Sequence, residues 1–182
     1  MKSYKGVTLI EMMIVIAIAS ILLAVAAPSF RTMVVKSNIE SLVDGFATAV
    51  TTARTEAASR GREVRVCANT TCNSNVWSAG WFVVDSNGTP LAAFDNAEGY
   101  PVSLKTEAGG NVTSITFNAQ GYNRDQVRYL FSACSPSAGV DVVRGVTVEF
   151  SGRAYHTDAA GTSKKARFDE GDGSIAEATL GC

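Results

Sequence analysis

The chain has 182 residues, of which 46% are hydrophobic and 18% are charged. This composition is too apolar for a disordered tail and is sufficient for one or two compact units with a core. Sixteen Lys and Arg residues stand against seventeen Asp and Glu residues, giving a formal charge of −1, so no bulk basic field exists to hold nucleic acid non-specifically. Any nucleic-acid binding would need a local patch.

The most informative segment is the run from residue 7 to residue 27, which is apolar except for one charge. As a helix with about 1.5 Å rise per residue it matches a hydrocarbon core of about 30 Å, so it predicts a membrane span. Lys2 and Lys5 precede it, which favours a cytoplasmic N-terminus and an exported C-terminal part. An ordinary secretory signal is the alternative, but the run is long and continues as a helical pattern.

The single charge in this run is Glu11. A carboxylate in an apolar helix costs about 2.5–3.5 kcal/mol on insertion scales, so we expect it to have a compensating partner. The alternative is that Glu11 lies close enough to the membrane interface for water to solvate its carboxylate, without any partner.

The heptapeptide Lys-Gly-Val-Thr-Leu-Ile-Glu, residues 5–11, followed by an apolar helix resembles the signal of type IV pilins and type II secretion pseudopilins. The resemblance implies that a prepilin peptidase cuts after Gly6 and that Val7, where the family usually has Phe, becomes the N-methylated N-terminus. It also implies that Glu11 pairs with the N-terminal amine of a neighbouring subunit in a filament. Pro28 falls where these proteins place a helix kink.

Beyond Pro28 the apolar spacing remains helical, which predicts an amphipathic continuation to Arg60 with Gly61 as its C-terminal cap. We expect residues 35–60 to pack on the chain's own globular part. The apolar positions are Phe30, Val34, Val35, Ile39, Leu42, Val43, Phe46, Val50, Ala53 and Ala57.

Short β-type runs follow at 63–67, 81–85, 114–117, 126–131, 144–150 and 153–156, separated by Gly-rich and Asn-rich turns. The pairing of 91–111 is not assigned by the pattern. The prediction is therefore an α+β fold in which a long N-terminal helix packs on an antiparallel β domain.

Later segments narrow the resemblance to the H-type family comprising FimT, FimU and GspH. They are RTEAASRG (54–61), AGWFVVDSNG (79–88), ITFNAQG (115–121) and VTVEFSGRAY (146–155). The expected organisation is a leader at 1–6, a transmembrane helix at 7–29, an amphipathic helix at 30–61 and a β-rich domain at 62–182.

The four cysteines suit an oxidising compartment, and four cysteines allow three connectivities. The spacing suggests Cys67 with Cys72 and Cys134 with Cys182. Metal binding is the weaker alternative, because Cys67 and Cys72 are five apart in a chain with a single histidine.

No catalytic motif is present, and His156 is the sole histidine, so we expect a protein that is not an enzyme, with no cofactor and no metal. Asp169, Glu170 and Asp172 lie in a Gly-rich segment that we predict to be a solvated loop. Calcium could bind oxygen ligands in this segment or at residues 85–88, but neither segment has the spacing of an EF-hand, so we expect a loop or hairpin turn at each.

The resemblance implies a minor pilin of the tip or initiation complex that supports pilus assembly and twitching. Its partners would be other minor and major pilins, the prepilin peptidase and the inner membrane, from which the subunit enters a filament with its globular domain periplasmic. A type II secretion pseudopilin that supports protein secretion is one alternative.

DNA capture during natural transformation is the other alternative, because some FimT-like proteins use a Gly-Arg-x-Arg motif. This chain has Gly152-Arg153-Ala154-Tyr155, with Tyr155 in place of the second Arg. The candidate DNA-binding residues are Arg153, Tyr155, Lys164, Lys165 and Arg167.

Overall fold

The computed structural model describes residues 6–135 and 142–157, together with the backbone of two short strands at 165–169 and 175–179; the side chains of 25–29 are not described. Helix α1 spans Leu9–Arg60. In the described ranges ten strands and one 3-10 turn follow it. They are β1 (Val64–Cys67), the 3-10 turn (Trp77–Ala79), β2 (Gly80–Asp85), β3 (Pro90–Asp95), β4 (Val102–Thr106), β5 (Ser114–Phe117), β6 (Tyr129–Cys134), β7 (Val143–Val148), β8 (Ala154–Thr157), β9 (Lys165–Asp169) and β10 (Ile175–Thr179).

Both ends of α1 are capped. Thr8 is in an extended conformation, and its hydroxyl accepts the N–H of Glu11 at 3.3 Å. Gly61 has a left-handed conformation with φ of 61°, and its N–H donates to the carbonyl of Ala57. The predicted C-terminal cap at Gly61 is therefore present.

Two antiparallel sheets pack against the C-terminal half of α1. The first has the strand order β3-β2-β1-β5 and the second has the order β4-β6-β7-β8. In the first sheet β1 is central, and its Val64 lies opposite Asp85 of β2 and Phe117 of β5. β9 and β10 pair with each other.

The core lies between α1 and the two sheets, and aromatic rings form its centre. The Phe46 ring of α1 stacks on Phe131 of β6 with 4.0 Å between centroids. Trp81 of β2 and Trp77 of the 3-10 turn approach the same Phe46 ring edge-on, at 5.6 and 6.1 Å. Such pairs add about 0.5–1.5 kcal/mol each beyond their buried area. The predicted packing of residues 35–60 on the globular part is confirmed, since the helix residues in this core are Ile39, Val43, Phe46, Ala49, Val50, Ala53 and Ala57.

The structure confirms the predicted α+β class and corrects part of the strand assignment. β6 begins at Tyr129 instead of residue 126, because Gln126 has a positive φ of 52° and the Asn123 amide donates to the Val127 carbonyl at 2.6 Å. That turn occupies the residues predicted to begin the strand. The unassigned segment 91–111 contains most of β3 and all of β4.

The prediction that Asp169, Glu170 and Asp172 lie in a solvated loop is wrong for Asp169. Asp169 ends β9 and lies opposite Ile175 of β10. Glu170 and Asp172 lie outside the described residues.

In the described part of the chain, no helical stretch combines the length and the hydropathy of a membrane span.

Candidate functional site

The first candidate site is the N-terminus of α1. The residues predicted to flank the cleavage point, Gly6 and Val7, are exposed, and no other side chain or backbone lies within 4 Å of the place where a Cβ on Gly6 would sit. Glu11 is also exposed. Its N–H is bound by Thr8, but its carboxylate has no hydrogen-bond or ion-pair partner among the described residues. The carboxylate of Glu11 is therefore available to a group outside this part of the chain.

The N-terminal half of α1 presents large apolar side chains with no intramolecular cover. Each of the following is more than half exposed: Val7, Leu9, Ile10, Met12, Met13, Ile14, Val15, Ile16, Ile18, Ile21, Leu22, Leu23, Phe30 and Met33. From Ile39 onward the inward side chains of the same helix are buried. A monomeric soluble protein rarely exposes a contiguous apolar surface of this extent, so this half of the helix is an interaction surface.

Pro28 lies within α1, which is one continuous helix from Leu9 to Arg60. The side chain of Pro28 is outside the described residues. A kink at this residue remains a prediction.

The structure contains a disulfide between Cys67 and Cys72, with a Cα–Cα distance of 5.0 Å. Cys134 at the end of β6 is also disulfide-bonded. Cys182, its expected partner, lies outside the described residues.

The second candidate site is the turn between β7 and β8, which contains the predicted Gly-Arg motif. Gly152 has φ of 74°, and a Cβ there would come within 2.6 Å of the Gly121 carbonyl oxygen. The N–H of Asn123 donates to the Phe150 carbonyl at 3.2 Å. This turn is therefore packed against the turn at 118–122. Arg153 is exposed; its backbone carbonyl accepts the Glu149 N–H at 2.9 Å, but its guanidinium has no hydrogen-bond or ion-pair partner among the described residues.

Exposed aromatic side chains precede and follow Arg153 in the chain, and another lies on the neighbouring turn. Phe150 and Tyr155 are 43% and 49% exposed, and Tyr122 on the packed neighbouring turn is 55% exposed. The Arg128 guanidinium lies 5.1 Å from the Phe150 ring centroid. The sequence motif indicated Tyr155 but neither Phe150 nor Tyr122. Tyr122 lies on a turn that only the fold brings against this one.

The remaining predicted cations are not brought to this turn by any described contact. Lys165 and Arg167 are residues of β9, opposite Thr179 and Glu177 of β10. Their side chains and the whole of Lys164 are outside the described residues.

Two side chains of the second sheet lie close to carboxylates of α1. Arg144 Nε of β7 lies 3.6 Å from the Glu40 carboxylate, and His156 Nε2 of β8 lies 3.5 Å from Asp44 Oδ1. Arg128 is largely buried and pairs with Glu149 at 2.8 Å. The first two contacts join the second sheet to the C-terminal half of the helix, and the third lies within the β domain.

The pKa values of one carboxyl group and one phenol group are shifted by their surroundings. The Thr89 N–H is the main cause that lowers the pKa of the partly exposed Asp85 carboxyl. Burial is the main cause that raises the pKa of Tyr129, whose hydroxyl also donates to Asp125 at 2.7 Å. Asp85 is therefore ionised and Tyr129 neutral at ordinary pH.

A groove of about 640 Å³ runs between α1 and β8 and is lined mainly by small and hydroxyl side chains. In the described residues no group of three or more His, Cys, Asp or Glu side chains could hold a metal ion.

Comparison with known proteins gives two family matches. The family model described as type II transport protein GspH matches residues 42–152, more than half of the chain. The model of the prokaryotic N-terminal methylation motif matches residues 1–27. A relative named fimbrial protein from Moraxella nonliquefaciens is 42% identical over 57 residues, which are 30% of this chain and 37% of that protein. The match therefore spans little more than a third of the relative's length.

Two crystal structures of the type IV minor pilin FimU from Pseudomonas aeruginosa share the fold. The first has a TM-score of 0.55 and 21% identity over 69% of this chain and 92% of FimU. The second has a TM-score of 0.52 and 22% identity over 67% of this chain and 94% of FimU.

The long helix, the methylation motif and the antiparallel sheets on one half of that helix define a pilin-like protein. Within this class the chain belongs to the GspH family. The family is structural, and its prepilin-type motif implies anchoring in the inner membrane and a place in a pilus or pseudopilus filament.

Proposed function

We propose that the protein is a minor pilin of a type IV pilus, a subunit of the tip or initiation complex that supports pilus assembly and twitching. The observation that carries this proposal is the division of α1 into an uncovered apolar half and a half buried on the β domain. Apolar surface in water costs about 25 cal/mol per Å², so the uncovered half is stable only in lipid or among other helices. A membrane-anchored precursor that later enters a helical filament provides both environments.

The free carboxylate of Glu11 supports the same proposal. Glu11 is the fifth residue after Gly6, and in a packed bundle its charge would be buried beside the helices of neighbouring subunits. A buried carboxylate needs a paired cation, and the N-terminal amine created by cleavage before Val7 of a neighbour is a cation at the same level of the filament. We therefore assign processing to Gly6 and Val7, and assembly to Glu11.

Deletion of the coding sequence tests the initiation role. We expect fewer surface pili and reduced twitching although the major pilin is still made, with both defects repaired by a wild-type copy. Electron microscopy, twitching zones and an immunoblot of the major pilin measure this. Normal piliation together with failed exoprotein secretion would contradict the proposal and favour the type II secretion pseudopilin. Normal piliation and secretion would contradict both.

DNA binding is a second candidate, favoured by the exposed Arg153 beside exposed aromatic side chains. A guanidinium can bind a phosphate bidentately, and Tyr155 could stack on a base. Arg153 is therefore the residue most expected to contact a phosphate, with Lys164, Lys165 and Arg167 as further candidate cations.

Gel shifts of the full chain in detergent at two salt concentrations test this candidate. Arg153→Gln should weaken duplex binding and lower the salt slope by about 0.9, the contribution of one phosphate contact. Neutralising Lys164, Lys165 and Arg167 as well should flatten the slope further. Arg124→Gln is the matched control, because Arg124 is an exposed arginine already paired with Glu63 at 2.9 Å. Equal effects of Arg153→Gln and Arg124→Gln, or no binding by the wild type, would reject DNA capture.

A further inference from the structure

The turn between β2 and β3 has an exposed tip with the sequence Asp85-Ser86-Asn87-Gly88-Thr89. Asp85 Oδ1 accepts the N–H groups of Asn87 and Thr89 at 2.9 and 2.8 Å, which fixes the backbone of the tip. The side-chain amide of Asn87 has no hydrogen-bond partner among the described residues. The tip therefore presents a free carboxamide to solvent.

Asn87 is one of three asparagines in the sequence that are followed two positions later by threonine; the others are Asn69 and Asn111. Asn-x-Ser/Thr is the acceptor pattern of N-glycosylation in exported proteins. A carboxylate two positions before the asparagine offers a transferase a charge-assisted contact that a neutral residue at that position does not offer. Asn87 has Asp85 at that position, whereas Asn69 and Asn111 have Cys67 and Gly109.

The three asparagines also differ in their exposure and in their side-chain hydrogen bonds. The Asn69 side chain is engaged within the disulfide loop, where its amide donates to Asn73 at 2.7 Å and its carbonyl accepts the Asn73 N–H at 3.2 Å. Asn87 and Asn111 are exposed. Asn87 alone of the three combines exposure, an uncommitted amide and a carboxylate two positions earlier.

We infer that Asn87 is a site of N-linked glycosylation, modified by an oligosaccharide carried on a polyprenyl diphosphate. The Asn87 Nδ2 atom forms a bond to C1 of the first sugar and loses one proton. The bond between C1 and the diphosphate oxygen breaks, and the polyprenyl diphosphate leaves with the bonding electrons. The inference depends on the proposed export of the globular domain, because the carrier lipid delivers its glycan on the outer side of the inner membrane.

The position of the tip is compatible with a filament subunit. Asp85 and Ser86 share a groove of about 320 Å³ with Arg60, Arg62, Glu63 and Val64, so the tip lies at the C-terminal end of α1. The uncovered apolar half lies at the opposite end of the same helix. A glycan on Asn87 therefore projects away from the surface that packs in lipid or among helices.

The carboxylate of Asp85 also has a local role in the turn, and one substitution separates the two roles. Asp85→Asn keeps an oxygen that can accept the N–H groups of Asn87 and Thr89 but removes the negative charge. If Asp85 serves the turn alone, this variant keeps the modification. If Asp85 is also read by the transferase, occupancy falls at least about tenfold, the effect of losing one charge-assisted contact.

The test is peptide mass spectrometry of the full-length protein purified from membranes of the cells that make it. We expect a glycan mass on the peptide containing Asn87 in the wild type and in Asn111→Gln, none in Asn87→Gln, and strongly reduced occupancy in Asp85→Asn. Thr89→Ser, which keeps the hydroxyl, should retain the glycan, and Thr89→Val should lose it. Thermal unfolding of each variant confirms that the fold is kept.

A bare Asn87 in the wild type, or a mass change of deamidation alone, overturns the inference. Retention of the glycan in Asn87→Gln also overturns it. Full occupancy in Asp85→Asn overturns the role of Asp85 in recognition by the transferase. The N-terminal peptide in the same digest keeps the two proposals distinct. A chain that begins at Val7 with a bare Asn87 contradicts the glycosylation site and leaves the pilin proposal intact.

Discussion

Glu11→Gln should leave the β domain folded and remove the protein from filaments. Gln has the size of Glu and still offers an oxygen, but it cannot neutralise the N-terminal amine of a neighbour, so an unpaired charge would be buried at a cost of about 3–5 kcal/mol. The core begins at Ile39, far along the helix from Glu11, so the substitution should not disturb folding. Immunoblots of sheared filaments against the membrane fraction measure the loss, which should be tenfold or more.

Thr8→Ala is the matched control for Glu11→Gln. It removes the hydroxyl that accepts the Glu11 N–H and so costs the helix about 1 kcal/mol, but it leaves the carboxylate in place. We expect Thr8→Ala to be incorporated at nearly the wild-type level. Wild-type incorporation of Glu11→Gln, or equal loss in the two variants, would show that the charge of Glu11 has no role in assembly.

Gly152→Ala should destabilise the β domain by about 3 kcal/mol or more. A left-handed backbone costs an L-residue about 1–2 kcal/mol, and Gly152 has φ of 74°. The added Cβ would also lie 2.6 Å from the Gly121 carbonyl oxygen and 3.1 Å from the buried Phe117 ring, so the two turns would have to separate. Fluorescence of Trp77 and Trp81, both 1% exposed, reports the unfolding of the full chain in detergent.

Gly109→Ala separates the backbone cost of Gly152→Ala from its contact cost. Gly109 has φ of 85°, and no atom of another part of the chain lies within 4 Å of the place where its Cβ would sit. It should lose only about 1–2 kcal/mol. Equal losses in the two variants would mean that the contact between the two turns contributes nothing to stability.

The helix and its core face follow from local sequence. The period of the apolar residues between Ile39 and Ala57 predicts the buried stripe, and Gly61 predicts the cap, because both depend on spacing within one element. The short separation of Cys67 and Cys72 likewise leads to the observed disulfide.

The strands that the sequence pattern did not assign depend on contacts between residues that are distant in sequence. β3 is Pro-Leu-Ala-Ala-Phe-Asp, which lacks β-branched residues, and it becomes a strand because β2 pairs with it. The chain between β3 and β4 turns at Asn96, whose side chain binds both the N–H and the carbonyl of Tyr100. Such a side-chain turn has no simple sequence signature.

The same limit applies to the candidate sites. The roles proposed for Gly6, Val7 and Glu11 could be inferred from one short motif because they depend on a local segment. Tyr122 and Phe150 could not, since about thirty positions separate them in sequence and the hydrogen bond from Asn123 to Phe150 brings their turns together. The contact of His156 with Asp44 is equally non-local.

The most direct measurement of the central claim is the mass of the N-terminal peptide of the protein recovered from sheared filaments. A processed filament subunit begins at Val7, with a methyl group on its amine and with the apolar helix retained. A chain that begins at Met1, or one cut near Ala27 as by an ordinary signal peptidase, would contradict the assignment of this protein as a filament subunit.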